Sequence, residues 1–352
     1  MISVIIVNYG TGFLLPRLRV LLKDEPLIDE IIIVDNLGDV PEDFQADKIT
    51  IVRNDYNLGF AKAVNQGAEI ASQPWLLVLN PDVIPLPGSI AKLYQGASAD
   101  RAALAGPRFY WDERRTFKLP PATGYSLSLK LIQTAHLFEN SPWDLEQIAF
   151  EWAIRHDRFW AAKEPFWEPF LSGACLLVDR QQLPGPVFDE RFFLYFEDTD
   201  LCLTTRSKGL LISCIPGAEM VHFWSQSPDP DTPKGILMAE SEKMFLEKHY
   251  GITDIPQLGQ LIQKDSSVPQ FIELETKNSP PMFDLSFKQK ECVNLEIGAD
   301  MLFLPFAQTQ LETPDFLFPE EIWSKLPPGR YFARCRTKAG NIIGPRWTWI
   351  KR

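Results

Sequence analysis

Within the first 110 residues, short unbroken runs of Ile, Val and Leu recur at 2–8, 31–35, 49–53, 75–79 and 102–105, separated by stretches of helical pattern. Continuous apolar runs of that length suit strands of a parallel sheet buried on both faces, because a half-exposed strand would alternate with polar residues. Residues 14–23, 61–71 and 89–96 supply the intervening helices. Strand–helix alternation of this kind predicts a layered α/β domain, whose ligands bind in the crevice outside the carboxyl ends of the strands. What stands at those strand ends therefore decides the chemistry.

Asn8 and Tyr9 close the first run, Asp35 the second and Asn80-Pro81-Asp82 the fourth. A diphosphate bound with Mg2+ or Mn2+ needs a carboxylate fixed at the metal, and Pro81 stiffens a turn that aims Asp82 outward. The same tripeptide is also ordinary turn chemistry. Asp35, with Asn8 and Tyr9, can flank a base or ribose, or can serve as turn former and packing. Residues 57–67 open with turn residues and continue as a helix, whose N-terminus and Lys62 can meet an anion; a purely structural turn is the other reading. Farther on, an aromatic run at 192–196 leads into Glu197-Asp198-Thr199-Asp200. A general base for a hydroxyl nucleophile needs a carboxylate in a partly desolvated pocket, and Asp198 is the candidate, with Glu197 beside it. Acids at that point also cap a helix, and one position can do both. His222, between Val221 and Phe223, can bind metal or diphosphate, or simply pack.

At 352 residues the chain exceeds one average domain, so two domains of unequal size are expected. Residues 1–250 read as the α/β domain, interrupted at about 111–168 by an aromatic-rich insertion. That insertion holds Trp111, Trp143, Trp152, Trp160 and Trp167, with helical pattern near 126–138 and 145–161. Sheet pattern returns at 170–178, helix at 198–207, strand at 210–215, and a closing helix at 234–249 stops at Gly251. From 265 to 352, alternating segments at 271–275 and 283–287 and a hairpin pattern at 330–336 and 342–350 predict a small β-sandwich-like accessory domain.

The balance of 35 basic against 46 acidic residues gives a net charge of −11, which argues against a nucleic-acid partner. The five cysteines lack any C-x-x-C spacing, so buried free thiols are expected rather than a zinc site or disulfide framework. No apolar run approaches the ~18 residues that span a bilayer. The apolar start breaks at Asn8 with neither a basic leader nor a cleavage site, which predicts a cytosolic protein.

Taken together, these stretches resemble glycosyltransferase family 2, particularly its bacterial rhamnosyltransferase-like members. The matching text is Val4-Ile5-Ile6-Val7-Asn8-Tyr9, Ile33-Val34-Asp35-Asn36, and Asn57-Leu58-Gly59-Phe60-Ala61 with Asn65 and Gly67. It continues with Leu79-Asn80-Pro81-Asp82, Ser172-Gly173-Ala174, Phe188-Asp189-Glu190, and the run from Phe192 through Glu197-Asp198-Thr199-Asp200 to Cys202. The resemblance, over about residues 1–250, implies a GT-A fold, a nucleotide-sugar donor bound with Mg2+ or Mn2+, and inversion at the anomeric carbon. It also implies a glycan or lipid-linked acceptor in cell-surface polysaccharide synthesis, with the protein cytoplasmic or peripheral at the inner membrane face. Carried over by position, Asp35 contacts the nucleotide, Asp82 the metal-bound diphosphate, and Asp198 the acceptor hydroxyl; His222 stays a candidate metal ligand on its own residue type. Asn8, Tyr9, Asn57, Gly59, Asn80, Ser172 and Gly173 fall in the donor site, which Lys62 joins as the candidate anion contact of its helix.

Three departures stand out. The metal motif is Asn-Pro-Asp rather than Asp-x-Asp, Thr204 stands where the family usually has Arg (Arg206 follows two positions on), and Gly185-Pro186-Val187 replaces a Gly-Gly pair. The competing reading is a non-catalytic glycan- or nucleotide-binding protein that keeps the fold. A nucleotidyltransferase would want a longer, basic phosphate loop than Gly10-Thr11-Gly12. In the C-terminal region, Trp323, Trp347 and Trp349 either fill a core or stack on sugar faces.

Overall fold

The computed structural model describes residues 1–41, 44, 46–124, 145–224, 226–228, 230, 232–252, 270–285, 293–299, 306–311, 316–337 and 340–352. The chain forms two compact units. The first comprises Met1–Arg108, Ala162–His222 and Gln226–Thr253; the second comprises Phe109–Ala161, Phe223–Ser225 and Asp254–Arg352.

In the first unit the apolar runs become β1 (Ile2–Asn8), β2 (Ile28–Asp35), β3 (Ile49–Arg53) and β4 (Trp75–Leu79). They pair in parallel, with β1 between β2 and β4 and β3 outside β2. Every residue of β1 is buried, as the unbroken hydrophobicity requires. Helix α1 (Leu15–Leu22) follows β1 and α2 (Phe60–Ile70) follows β3. A Cβ added to Gly67 of α2 would lie 2.8 Å from Ile5 Cγ2, so this helix packs on β1 at backbone distance.

Beyond β4 the sheet changes direction. Short β5 (Val83–Pro85), helix α3 (Ser89–Asp100), β6 (Leu104–Tyr110), β7 (Phe166–Trp167), β8 (Cys175–Asp179) and β9 (Ile212–His222) complete the order β3-β2-β1-β4-β8-β6-β9-β5, with β7 on β9. The parallel direction expected for the apolar runs of the first 110 residues holds, and the antiparallel strands are added between and beside them. β8 runs antiparallel between β4 and β6, and β5 and β7 are antiparallel to β9. An unbroken apolar run reports burial on both faces, not strand direction, so the wedge of β8 is invisible in it. β9 also continues through His222, where the sequence pattern suggested an end at 215. Helix α4 (Leu145–Ala161) matches its expected bounds, and α5 (Glu197–Ser207) and α6 (Lys234–Tyr250) differ from theirs by a single residue. Gly251 caps α6 at φ +67°, the left-handed geometry that ends helices.

The second unit carries a five-stranded sheet, β10 (Ile272–Glu273), β11 (Val293–Gly298), β12 (Phe306–Leu311), β13 (Gly329–Thr337) and β14 (Ile342–Lys351), in the order β10-β14-β13-β11-β12. The predicted hairpin is the antiparallel β13–β14 pair. Short α7 (Glu320–Lys325) joins β12 to β13 in the chain. Trp323, Trp347 and Trp349 are all buried, so they are core rather than exposed stacking platforms. Ala153 of α4 packs with Phe306 and Phe332, and the His156 ring stacks on Phe306 at 5.0 Å. Glu296, fully buried on β11, accepts from Arg334 at 2.7 Å and from Arg336; Arg336 also reaches Asp157 of α4 at 3.1 Å. The helix expected at 126–138 lies outside the described residues, as do residues 286–287 of the strand expected at 283–287 and residues 338–339 of the hairpin turn. Cys175, Cys202, Cys214 and Cys335 are buried free thiols.

Candidate active site

The candidate residues converge at the carboxyl ends of β1, β2 and β4, in the first unit. β4 ends at Leu79, opposite Cys175 of β8, and the adjoining turns are tied: the Asn80 amide donates to the Ala174 carbonyl at 2.9 Å. One residue earlier, the Gly173 amide donates to Asp198 Oδ2 at 2.8 Å. Ser172 Oγ accepts the Ala174 amide. The Ser-Gly-Ala span thus fastens the Asn-Pro-Asp turn on one side and the first turn of α5 on the other. A Cβ on Gly173 would lie 3.2 Å from Asp198 Cβ, a clearance that only glycine keeps comfortably.

Asp82 follows that turn, and β5 then pairs with β9 so that Val83 stands opposite His222. The pairing brings His222 Nε2 to 3.6 Å from Asp82 Oδ1, both side chains nearly buried. Burial pulls the His222 pKa below its ordinary 6.5 against the opposing pull of Asp82, which leaves the imidazole neutral at pH 7. A neutral imidazole and a carboxylate side by side fit a divalent cation whose remaining positions belong to diphosphate and water. Among the described residues no cluster of three or more His, Cys, Asp or Glu converges, so a cation held here would rely on those two side chains.

Asp198 and Glu197 open α5, after Tyr195 and Phe196, both at positive φ (70° and 68°). Non-glycine residues hold that conformation only where the surroundings fix it. The two carboxyls differ sharply in environment. Asp198 is half-buried and accepts from the Gly173 amide and, through Oδ1, from the Thr199 amide at 2.6 Å. Glu197 is buried, with Oε2 lacking any hydrogen-bond partner. Burial first, then the charge of Asp198, pushes Glu197 well above the ordinary carboxylate range. Burial also raises Asp198, but its hydrogen bonds oppose the rise. Of the two adjacent acids, Glu197 is the one whose neutral form the site favours more strongly.

The other expected donor-site residues serve mainly as ties. Asp35 is wholly buried and its oxygens accept from Asn8 Nδ2, the Gly38 and Val40 amides, and Arg53 at 2.9 Å. Asn8 further donates to Asp39 Oδ1 at 2.6 Å. Asp39, which the sequence reading passed over, also accepts the Gly12 amide at 2.8 Å and so joins the loops after β1 and β2. Asn57 Oδ1 accepts the Gly59 amide and the Asn36 side chain. The amide of Phe60, at the N-terminus of α2, donates to the Phe193 carbonyl, and Asn65 exchanges hydrogen bonds with the backbone of Phe188. Residues 57–67 therefore clamp the 188–193 loop that leads to α5, the structural role weighed against anion binding. Tyr9 is half-buried at the end of β1, and Lys62 is exposed on α2. Arg206 has its guanidinium over the Trp167 and Phe170 rings, 5.5 and 5.4 Å from their centroids.

Among solved structures, GalNAc-T7 with UDP, GalNAc and Mn2+ aligns over 75% of this chain and 55% of its own, at 16% identity and TM-score 0.46. Glucosyl-3-phosphoglycerate synthase from Mycobacterium tuberculosis, in complex with Mn2+, uridine-diphosphate and glucosyl-3-phosphoglycerate, aligns over 72% of this chain and 81% of its own, at 16% identity and TM-score 0.44. By sequence, the N-acetylglucosaminyl-diphospho-decaprenol L-rhamnosyltransferase of two M. tuberculosis strains is 32% identical over 216 residues, 55% of this chain. That match spans 66% of the relatives' own length, just short of two thirds. Residues 3–180 match the sequence model of Glycosyl transferase family 2.

Proposed function

The chain belongs to glycosyl transferase family 2, and from that premise we propose that it moves a sugar, L-rhamnose by preference, from a nucleotide-sugar donor to a hydroxyl of a lipid-linked glycan. The observation that carries the reading is the Ser-Gly-Ala span. Through hydrogen bonds from consecutive residues it holds the Asp82 turn and Asp198 in one register. Leaving-group end and nucleophile end of a transfer site are thereby built on a single hinge.

In this reading Asp82 and His222 hold a divalent cation, Mg2+ or Mn2+, which when bound supplies charge stabilisation at the departing diphosphate. The loops joined by Asp35 and Asp39 cradle the nucleotide. Asp198 accepts the proton of the acceptor hydroxyl as its oxygen bonds to the anomeric carbon from the face opposite the diphosphate. The bond to the diphosphate oxygen breaks with its electron pair, the anomeric configuration inverts, and the proton rests on Asp198. The buried, neutral Glu197 supplies a hydrogen-bond donor beside it without adding a second charge.

The rhamnosyl donor and the lipid-diphosphate acceptor are supported by the name of the 32%-identical relatives. An acceptor of that kind puts the work at a membrane surface, and we place the protein peripherally there, at the inner face. Among the described residues no helix is long and apolar enough to cross a membrane.

The test is thermal-shift binding of nucleoside diphosphates and nucleotide sugars with Mn2+, with Mg2+ and with chelator, followed by transfer to a polyprenyl-diphosphate-linked glycan. One nucleotide should stabilise the protein only with metal, and Asp82→Ala should abolish that metal dependence. Indifference of the wild-type protein to every nucleotide would rule out the reading.

A further inference from the structure

The closing helix α6 takes no part in the chemistry described above, yet its last turn carries two basic residues aimed at α5. Lys248 Nζ lies 2.6 Å from Asp200 Oδ1 and 2.9 Å from Asp189 Oδ2, and over the Phe192 ring at 5.8 Å. His249 Nε2 lies 2.7 Å from the same Asp200 oxygen. Higher on the helix, Ser241 Oγ donates to the Leu194 carbonyl at 2.8 Å, and Phe245 packs on Phe196 with ring centroids 5.5 Å apart. Each of these contacts falls on the loop 189–196 or on the first turn of α5.

We propose that Lys248 and His249 are positioning residues for the transfer step, holding Asp198 against Gly173 by fixing Asp200 and the turn that precedes it. The inference rests on the reading of Asp198 as base. Tyr195 and Phe196 occupy a sparsely populated backbone conformation that must be imposed from outside, and α6 contacts both Leu194 and Phe196 around it. Asp200 is almost fully buried in the same helical turn as Asp198, and its amide closes the first helical bond, onto the Phe196 carbonyl at 2.8 Å. The flank of α5 bearing Asp200, Leu201, Thr204 and Lys208 lines a cavity of about 380 Å³ rather than packed core. The Lys248 and His249 contacts to Asp200 therefore add to the packing that holds this side of the helix. A shift of about 1 Å in a reacting group costs on the order of 100-fold in rate, so the grip on Asp200 reaches the chemistry.

The experiment compares His249→Ala, His249→Gln and Lys248→Met with the wild-type protein. dTDP with Mn2+ is the binding probe, and dTDP-L-rhamnose with a polyprenyl-diphosphate-linked N-acetylglucosamine the turnover assay. His249→Ala should lower kcat by about 10- to 100-fold while the dTDP affinity stays within about twofold. His249→Gln, which keeps a side-chain N–H donor, should restore most of the rate, and Lys248→Met gives a second reading should His249→Ala fail to fold. Equal loss of turnover and dTDP affinity in folded variants, or unchanged kcat, overturns the proposal. A readout independent of turnover is amide hydrogen exchange at Gly173 and Thr199, the donors to Asp198. It should quicken by about tenfold or more in His249→Ala, and unchanged exchange overturns the proposal as well. A wild-type protein that transfers no sugar, with exchange responding as stated, would instead sink the function assigned to Asp198.

Discussion

Glu197 and Asp198 are neighbours with identical chemistry and opposite fates. The Gly173 and Thr199 amides point at Asp198 and favour its charged form, whereas Glu197 Oε2 has no hydrogen-bond partner and burial pushes that carboxyl well above the ordinary range. The folded state still raises Asp198 above 3.8. A raised carboxylate contributes stability below its unfolded pKa and loses it as pH climbs through the folded one, so at pH 7 ionised Asp198 is a burden on the fold. Asp198→Asn should therefore leave the melting temperature at pH 7 unchanged or higher, while transfer drops by about 10²- to 10⁴-fold. Calorimetry and a transfer assay on the same sample check both halves, and in the wild-type protein the acid limb of kcat should lie above pH 3.8. At this scale the sequence makes Asp82, His222 and Asp198 candidates by residue type alone. It hides Asp39, Lys248 and His249, since a carboxylate in a loop and basic residues ending a helix look like solvated surface until their partners are known.

The elements explain why so many residues of the donor-site text turn inward. The segment from Asn57 to Asn65 is a clasp on the 188–193 loop, and the clasp sets where α5 begins. Gly59 sits at φ +82°, and a Cβ there would fall 2.5 Å from the Phe193 carbonyl oxygen. Gly59→Ala thus combines backbone strain with a contact against backbone that cannot swing aside. It should cost about 2–3 kcal/mol of stability, measured by denaturant titration, and should reduce turnover through the displaced loop. Strands buried on both faces were legible from their unbroken apolar runs, down to the bounds of β1 and β4. β11 and β12 were not, because Val293–Gly298 carries Glu296 and Phe306–Leu311 carries Gln308 and Thr309, polar residues that read as loop. Their burial is compensated by arginines on another strand, a pairing that no local pattern contains.

Across the whole chain, that compensation is the main liability of the second unit. Glu296 has no exposure and neutralises Arg334 and Arg336; Asp157, on a helix far away in sequence, completes the network with Gln308. Burial alone would raise Asp157, but the His156 ring 3.9 Å away, hydrogen bonds from Arg336 and Gln308, and the Arg336 charge bring it down to about 2. A depressed carboxylate adds stability above its unfolded pKa of 3.8 and loses it as pH falls through the folded value, so the second unit should weaken from about pH 4 toward pH 2. Because Asp157 is more than a third exposed, solvent screening keeps that acid step small. Removing the central charge is a harsher matter. Glu296→Gln takes from the buried Arg334 its carboxylate partner and leaves Arg336 with Asp157 alone, and about 3–5 kcal/mol should be lost, seen as a lowered transition in scanning calorimetry. The double change Glu296→Gln with Arg334→Met should recover part of that loss, since it removes one of the uncompensated charges. A single substitution without measurable effect would mean that water, rather than Glu296, neutralises the arginines.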